Sequence, residues 1–329
     1  MIVLFIIVGL ALFLLAGLLW ASQGQTVYST QGSGIIEAIP DALETEPVPP
    51  SGRMVILSLS LAYGLGSPPY PRAAPNAASI CDRLDRLIET IVVSGADIAL
   101  LQEVDFASQR TYDIDQLYYI AAALGWGYAA RAVTWECRYL PWPWRQPSGR
   151  LRAGMGVISR YPLIQNVRYP LPPARVYPWF TRRFWPRHTV QMVDAQCGGT
   201  SLRLFNASVA SPHVASGQQQ VRALVSFVRD AYTPASVLMG ALNPLVDNAE
   251  GVPASVLSFI TMALDSQFQA LAESETASTA APAGCSGLHQ AFVGTGLRPL
   301  DLQRLAIEAP VVEHAPVALH LRWALALTV

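Results

Sequence analysis

The sequence predicts an α+β fold, a layered sandwich of sheets and helices, that follows a single N-terminal transmembrane helix. Short apolar runs bounded by turn residues recur along most of the 329-residue chain and indicate strands. Helical periods interleave with these runs, but several consecutive strands have no helix between them. That order favours a layered α+β sandwich over a doubly wound parallel sheet. Residues 1–20 contain no charged side chain, which indicates the membrane helix.

This N-terminal segment has the length of a membrane span. Twenty helical residues at about 1.5 Å each reach about 30 Å, the thickness of a bilayer core. A cleaved signal peptide is the alternative, but it would carry a basic n-region and a shorter apolar stretch. Residues 1–20 have no basic side chain. We therefore predict an uncleaved transmembrane anchor over residues 1–21.

Residues 22–52 are polar and contain Gly, Pro and Ser, which is typical of a linker. Residues 1–52 contain no arginine or lysine but four acidic side chains. Since no basic cluster holds the C-terminal flank of the anchor in the cytoplasm, a single-pass membrane protein with most of its chain outside the cytoplasm is favoured. Residues 53–329 then form one domain.

Strands and helices of the domain are predicted from the period of the apolar residues. The predicted strands are residues 54–61, 98–102, 156–159, 188–194, 202–209, 236–239, 302–307 and 317–323. The predicted helices are residues 80–94, 114–124, 217–232 and 254–271.

The chain is poor in charge. Charged residues make up 14% of it, against about 25% in ordinary globular domains, and the formal net charge is -1. This balance excludes a broadly cationic nucleic-acid binder, because such binding needs an excess of basic side chains against phosphates. A hydrophobic fraction of 52% excludes a disordered chain. Either a partner or lipid covers part of this surface, or its loops are neutral and rich in alanine and proline.

Four scattered cysteines fit no metal-ligand spacing; they are Cys81, Cys137, Cys197 and Cys285. In an oxidising compartment they would pair as disulfides, and otherwise they would be buried free thiols. Their spacing does not distinguish between these two states.

A series of short motifs follows the predicted strands in a fixed order. Leu-Gln-Glu-Val-Asp at 101–105 precedes Ile-Ser-Arg-Tyr-Pro-Leu at 158–163, Leu-Phe-Asn at 204–206, Gly-Ala-Leu-Asn at 240–243 and Glu-His-Ala-Pro-Val at 313–317. In this order and spacing the chain resembles the endonuclease/exonuclease/phosphatase family over residues 54–322. The resemblance implies a four-layer α/β/β/α sandwich, two sheets packed face to face between outer helices. It also implies an ancestral Mg²⁺-dependent phosphoester hydrolase.

The resemblance assigns roles to individual residues. Glu103 matches the family's metal ligand, Asn243 the second polar residue of a Gly-Asp-x-Asn turn, and His314 the final histidine. Asp301 lies where a late acidic residue is expected. Because Mg²⁺ prefers carboxylate and other oxygen ligands, Glu103 is the candidate ligand that remains. Two structural alternatives are equally consistent with these residues. Glu103 would be a buried acid paired with an arginine, and His314 would be a packed core histidine.

Four positions depart from the family pattern. Ser60 replaces an asparagine on the first strand, and Ser208 replaces a histidine that clamps the phosphate. Ala241 replaces the aspartate of the turn, and Glu313 lengthens the aspartate before the final histidine. A methyl group cannot accept a proton, and losing a general base costs about 10²–10⁴-fold in rate. We therefore expect an inactive site without a cofactor, and Mg²⁺ only if the site is active.

Two proline-rich insertions combine tryptophan with arginine. Because proline disfavours helices and central strands, both are predicted to be loops, at residues 139–147 and 175–187. Trp, Tyr and Arg are enriched in interface hot spots, and Trp and Tyr in the membrane–water belt. Loops tucked onto the sandwich are the alternative. The residues predicted to contact a partner or the membrane are Trp142, Trp144, Trp179, Arg182, Arg183, Trp185 and Arg187.

Together these features predict a membrane-anchored, catalytically degenerate protein that is an accessory or structural subunit of a membrane protein complex. Its expected partners are the membrane and integral membrane protein subunits, and no nucleic acid is expected. The alternative is an active Mg²⁺-dependent phosphodiesterase or phosphatase that acts on a lipid headgroup or a nucleotide at the membrane surface.

Overall fold

The computed structural model describes residues 1–40, 42, 52–66, 75–173, 178–209, 214–242, 260–271, 289–305 and 316–322. Its helices are α1 (Ile2–Ala21), α2 (Ala77–Val93), α3 (Gln116–Leu124), α4 (Trp179–Arg182) and α5 (Val214–Asp230). Its strands are β1 (Gly32–Ser33), β2 (Ile35–Ala38), β3 (Arg53–Ser60), β4 (Ile98–Asp105), β5 (Tyr128–Leu140), β6 (Gly149–Ser159), β7 (Leu163–Pro170), β8 (Thr189–Cys197), β9 (Thr200–Val209), β10 (Ser236–Leu242), β11 (Phe268–Leu271), β12 (His289–Gly294), β13 (Arg298–Arg304) and β14 (Val317–Arg322).

Helix α1 is apolar on every side and none of its side chains is buried. An 18-residue window within it has a mean hydropathy of 3.2. By length and composition this helix is able to cross a membrane. The prediction of one N-terminal apolar helix is confirmed, whereas its insertion and its orientation stay predictions.

The described strands form two seven-stranded sheets. The first sheet has the order β13-β14-β3-β4-β6-β5-β2, and the second has the order β1-β7-β8-β9-β10-β12-β11. Within these ranges, the strands β3 and β4 are parallel in the first sheet and β9 and β10 are parallel in the second, and the other pairs are antiparallel. A parallel pair needs a crossover connection. Helix α2 lies in the first crossover and α5 in the second.

The two sheets pack face to face around one apolar core. Ile56 and Leu100 of the first sheet meet Leu204 and Met239 of the second in this core. Helices α2 and α3 cover the outer face of the first sheet, and α5 covers the outer face of the second. The predicted α/β/β/α sandwich is therefore confirmed.

Helix α2 shows why the outer layers form where they do. The side chain of Asn76 accepts a hydrogen bond from the Ser79 backbone N–H and caps the helix start. The helix then buries one apolar stripe at spacings of four and three residues, which places these side chains on a single face. The stripe consists of Ile80, Leu84, Leu87 and Ile91.

The helix predicted over residues 254–271 is wrong at its C-terminal end. Residues 260–264 are helical, but Phe268–Leu271 is strand β11, paired antiparallel with β12. Residues 254–259 lie outside the described ranges. The strands β5, β7 and β12 were not predicted. Their pairing with neighbouring strands decides their structure, and that pairing is not local in sequence.

The structure differs from the linker prediction over residues 25–38. A short 3₁₀ helix covers Gln25–Ser29, strand β1 pairs with β7, and β2 pairs with β5. This segment thereby adds an edge strand to each sheet. Residues 43–51 lie outside the described ranges, and the predicted domain boundaries stay a prediction.

Three of the four cysteines lie in described segments, and each of these is a free thiol. Cys137 and Cys197 are buried, and burial raises the pKa of both thiols to about 12. A thiol with so high a pKa is a poor nucleophile. Cys285 lies outside the described ranges.

Candidate functional site

Four sequence-predicted positions lie at the carboxyl ends of the two parallel strand pairs. Ser60 ends β3 and pairs in register with Gln102 of β4. Ser208 of β9 pairs in register with Ala241 of β10. Side chains alternate between the two faces of a strand. Because Leu204 and Met239 face the inter-sheet core, Ser208 and Ala241 face the same side.

A β-bulge at the end of β4 sets the direction of the Glu103 side chain. The register with β6 shifts between Leu101 and Val104, so two residues of β4 oppose one of β6. Leu101 and Val104 both pack under the outer helices. Glu103 has a φ of 54°, in the left-handed region. The bulge therefore turns Glu103 to the same side as Gln102, towards the gap between the sheets.

The hydroxyl group of Ser60 holds the carboxylate of Glu103. Ser60 Oγ donates a hydrogen bond to Glu103 Oε2 at 2.9 Å. Ser60 is buried, whereas Glu103 is half-buried. We name Ser60, Glu103, Ser208 and Ala241 the cleft end. Its described polar atoms are one carboxylate and two hydroxyl groups, without an amide or imidazole.

Directly behind the cleft end, a row of buried amide side chains joins the two sheets. Gln102 Nε2 donates to Asn206 Oδ1 at 2.7 Å. Asn206 Nδ2 donates to the main-chain carbonyl of Leu101 at 3.1 Å and to Gln191 Oε1 at 3.3 Å. Gln191 Nε2 donates in turn to Asn166 Oδ1 at 3.1 Å. We name these four amide side chains the inter-sheet row.

Sequence analysis identified Asn206 within a motif but missed its role in this row. The other members are Gln102, Asn166 and Gln191, which come from three different strands. The available signal was a polar residue in each of four apolar strands, since a buried amide needs a hydrogen-bond partner.

Asp301 lies apart from the cleft end, on strand β13 at the edge of the first sheet. Its carboxylate accepts hydrogen bonds from the Leu302 backbone N–H and from Gln303 Nε2, both at 2.8 Å. Asp301 pairs in register with His320. Burial lowers the pKa of His320, and the Asp301 carboxylate opposes this shift. Asn243, Glu313 and His314 lie outside the described ranges, so their predicted roles stay predictions.

The donors in the described ranges do not make a Mg²⁺ site by themselves. These ranges contain no cluster of three His, Cys, Asp or Glu side chains that could hold a metal ion. Mg²⁺ demands near-octahedral oxygen coordination and is bound through one or two carboxylates with waters and substrate phosphates. The cleft end contributes the single carboxylate of Glu103 and the hydroxyl group of Ser60.

A buried ion pair supports the cleft end from the side. Arg110 forms two hydrogen bonds of 2.8 and 2.9 Å with the fully buried carboxylate of Asp105, at the end of β4. The guanidinium group of Arg110 stacks over the rings of Tyr63 and Trp135 at 4.3 and 4.8 Å. Tyr63 lies three residues after Ser60. The motif at 101–105 contains Asp105 but does not indicate its pairing with Arg110.

The described residues of the tryptophan and arginine insertions include exposed and half-buried side chains. Trp142 is 55% exposed, Trp144 is 72% exposed, and their rings meet edge to face at 5.7 Å. Trp185 is exposed, and Arg182, Arg183 and Arg187 are half-buried. Trp179 begins α4. The insertion at 175–187 thus contains a short helix within the predicted loop.

The model of the Endonuclease/Exonuclease/phosphatase family matches residues 64–235, just over half of the chain. No curated protein matches the sequence. An endonuclease/exonuclease/phosphatase from Beutenbergia cavernae is similar in structure, with a TM-score of 0.59 and 16% identity over 82% of this chain and 71% of that one.

Two further solved structures share the fold. A family protein from Leptotrichia buccalis has a TM-score of 0.55 at 11% identity, covering 81% of this chain and 98% of its own. A mannosyl-6-phosphatase from Bacteroides thetaiotaomicron has a TM-score of 0.51 at 12% identity, covering 82% of this chain and 99% of its own. With the matching family model and the sandwich described above, the chain belongs to the endonuclease/exonuclease/phosphatase family.

Proposed function

We propose that this chain is a membrane-tethered family member that has lost phosphoester hydrolysis and acts as an accessory subunit beside integral membrane proteins. One observation carries the first part. Ser208 and Ala241 lie side by side in register on the inter-sheet face, where the family resemblance expects a histidine and an aspartate. The phosphate clamp and the acidic group of the turn are therefore replaced together, by a hydroxyl and a methyl group.

The first sheet contributes a second change. Ser60 stands where the resemblance expects an asparagine, and its hydroxyl group donates to Glu103. A hydroxyl group on one carbon reaches less far than an amide, so it reaches the neighbouring carboxylate and not a substrate beyond it. Residues that act as a catalytic unit fail together, which makes these replacements jointly disabling.

An active Mg²⁺-dependent phosphoesterase is the second candidate, and the backbone at Glu103 favours it. A residue other than glycine in the left-handed region stores strain of order 1–3 kcal/mol, and such strain clusters at functional sites. Glu103 has a φ of 54° and is aimed by a bulge. If this strain is maintained for function, the carboxylate still binds a metal ion that acts on a lipid headgroup or nucleotide.

Turnover by the purified full-length chain distinguishes the two candidates. The assay offers phosphodiesters, phosphomonoesters and phospholipids with Mg²⁺, beside the Glu103→Ala variant as the matched control. We expect the two proteins to have the same background rate. Mg²⁺-dependent turnover that Glu103→Ala abolishes would establish the active phosphoesterase and overturn the first part of the proposal.

The accessory role is tested in native membranes. Helix α1 has no buried side chain and presents its whole length to the bilayer or to other helices. We expect the mildly solubilised chain to migrate in a complex larger than the monomer. A control in which an unrelated leucine-rich helix replaces residues 2–21 distinguishes anchoring from assembly. Migration as a free monomer would contradict the accessory role.

The domain is proposed to lie outside the cytoplasm, because residues 1–52 carry four acidic and no basic side chains. A membrane-impermeant thiol reagent tests this orientation in intact cells when Val93, which is 83% exposed, is replaced by cysteine. We expect labelling without lysis, and labelling only after lysis would reverse the orientation.

A further inference from the structure

Helix α1 is fixed to the domain where it ends, and no free tether separates the two. Ser22, the residue that follows α1, accepts a hydrogen bond from Arg183 Nε at 3.1 Å. Gln25 is buried, and its Nε2 donates to the main-chain carbonyls of Thr134 and Trp185, both at 3.2 Å. Side-chain hydrogen bonds therefore hold the residues after α1 against two separate segments of the domain. A helix held in this way sets the orientation of the domain relative to a bilayer.

This junction lies at the same end of the sandwich as the cleft end. Asp105, two residues after Glu103, pairs in register with Ala153, and Ala153 pairs with Trp135. Trp135 meets the ring of Tyr63 edge to face at 5.8 Å. Its neighbour in sequence, Thr134, is the residue that holds Gln25. Strand β4 therefore ends at the same end of the sandwich as the point where α1 joins the domain.

Exposed aromatic side chains lie on the segments that meet at this junction. Six of them are more than a third exposed, and we name them the aromatic collar. The collar consists of Trp20, Tyr139, Trp142, Trp144, Phe180 and Trp185. Trp20 lies in the last turn of α1, and the carbonyl of Trp185 holds Gln25.

The other collar residues reach the junction through β5 and α4. Cys137 of β5 forms a bridge with Gly24. From Trp135 to Leu140, β5 runs roughly 17 Å further at about 3.3 Å per residue. Trp142 and Trp144 follow on the hairpin that joins β5 to β6. The hairpin tip therefore extends past the end of the sandwich on the side of α1.

Cationic side chains accompany the collar. No ion pair among the described residues includes Arg182 or Arg187. Within the same ranges, Arg187 Nε has no hydrogen-bond partner. Burial and the charge of Arg182 lower the pKa of Arg187. An anionic group between the two guanidinium groups would accept a hydrogen bond from Arg187 Nε and offset the repulsion between the two positive charges. A lipid phosphate offers paired oxygens that match guanidinium geometry.

We propose that the aromatic collar is a docking surface for the headgroup region of a phospholipid bilayer, so that the cleft end faces the membrane. Continuity with the apolar α1 selects lipid as the occupant, because tryptophan rings prefer the membrane–water interface where such a helix leaves the hydrocarbon. The proposal does not depend on whether the cleft end is catalytically active.

Fluorescence quenching in reconstituted vesicles tests this orientation. The full-length chain, with Cys81 and Cys285 replaced by serine, is labelled at Trp144→Cys or at Val93→Cys. Val93 ends α2, near the start of β4 and so at the opposite end of the sandwich. The vesicles contain phosphatidylcholine and phosphatidylglycerol, with a nitroxide on a fraction of the headgroups. We expect quenching at position 144 to exceed that at position 93 several-fold.

Two further variants separate docking from mere anchoring. Arg183→Ala and Gln25→Ala remove the junction bonds and leave α1 intact, so the vesicles still carry the protein but quenching at position 144 decreases. Arg182→Gln with Arg187→Gln is expected to remove the part of the quenching that depends on phosphatidylglycerol. Equal quenching at positions 93 and 144 overturns the proposal. Shielding of position 144 in native membranes but not in these vesicles also overturns it and assigns the collar to a protein partner.

Discussion

The inter-sheet row and the cleft end share strands β4 and β9, and the row has a nearly complete set of hydrogen bonds. Asn206 and Ser208 are two residues apart on one face of β9. Asn206 bonds to side chains of both sheets and to two main-chain carbonyls of the first sheet. Ser208 and Ala241 lie half-buried beside each other. The difference teaches that stability constrains the row, because a missing amide there leaves buried partners unpaired, whereas we expect the stability of the fold to tolerate replacement at the cleft end.

The largest expected effect is on activity at the cleft end. Replacing Ser60 with Asn, Ser208 with His, Ala241 with Asp and Glu313 with Asp together restores the residues that the family pattern expects. We expect at least about a 10²-fold gain in Mg²⁺-dependent hydrolysis of a phosphodiester over the parent chain, since general-base catalysis supplies 10²–10⁴-fold.

Adding Glu103→Ala to the restored variant is the control, and it should abolish the gain. A restored variant that folds and gains no activity would contradict the prediction that these four positions account for an inactive site.

Next in size is the ion pair that supports the cleft end. Arg110→Gln leaves the fully buried carboxylate of Asp105 without its charged partner, with the Thr111 hydroxyl group still donating to it. We expect the free energy of unfolding to fall by about 3–5 kcal/mol, measured by denaturant titration.

The matched control is Arg150→Gln, because Arg150 forms a 2.7 Å pair with Asp113 in which both side chains are more than half exposed. Exposed pairs contribute about 0–1 kcal/mol. Equal losses for the two variants would show that the pair with Asp105 does not hold the end of β4.

The inter-sheet row should show a somewhat smaller loss. Asn206→Leu removes the donors to Leu101 and Gln191 and the acceptor for Gln102. Each buried group left unpaired costs about 1–3 kcal/mol, so we expect a loss of about 3 kcal/mol. Ser208→Ala, on the same strand face, should remain within about 0.5 kcal/mol. Similar losses at the two positions would remove the distinction between row and cleft end.

The smallest effect is a pH dependence next to the cleft end. His188 precedes Thr189, the strand partner of Ser208 in β8. Burial lowers the pKa of His188 from 6.5 to about 4. The folded chain therefore keeps this imidazole neutral while the unfolded chain binds a proton as the pH falls below about 6.5. Stability is complete above that pH and declines towards pH 4, by about 2 kcal/mol at pH 5.

His188→Gln provides the control for this dependence. Thermal unfolding of the variant should vary less between pH 7 and pH 5 than that of the parent. An unchanged slope would assign the pH dependence to another group, such as His320, whose pKa burial also lowers.

Much of the fold could be predicted from the sequence, and the reason differs by element. Helix α2 was predictable because its cap and its apolar stripe are local signals. Strand β11 was not, because its pairing partner β12 is 18 residues further along the chain, and pairing decides its structure. Residues 25–38 have a linker's composition, yet β1 and β2 form edge strands through hydrogen bonds to β7 and β5.

The cleft end was predictable in identity but not in geometry. Motif order located Glu103, Ser208 and Ala241. The direction of the Glu103 side chain depends on a β-bulge, which forms where the register between β4 and β6 shifts. The ion pair of Arg110 with Asp105 was also not predictable, because Tyr63 and Trp135, which enclose it, come from distant segments.

By itself the sequence determined the apolar N-terminal helix, the layered α+β class and the chemical identity of each position at the cleft end. These depend on composition, on local period and on which atoms a side chain carries. Only the tertiary structure decided that Asn206 joins the two sheets, that Ser60 holds Glu103, and that Ser22, which follows α1, bonds to Arg183. Each of these contacts joins residues more than 40 positions apart, so it forms only when the sheets and the helix have packed.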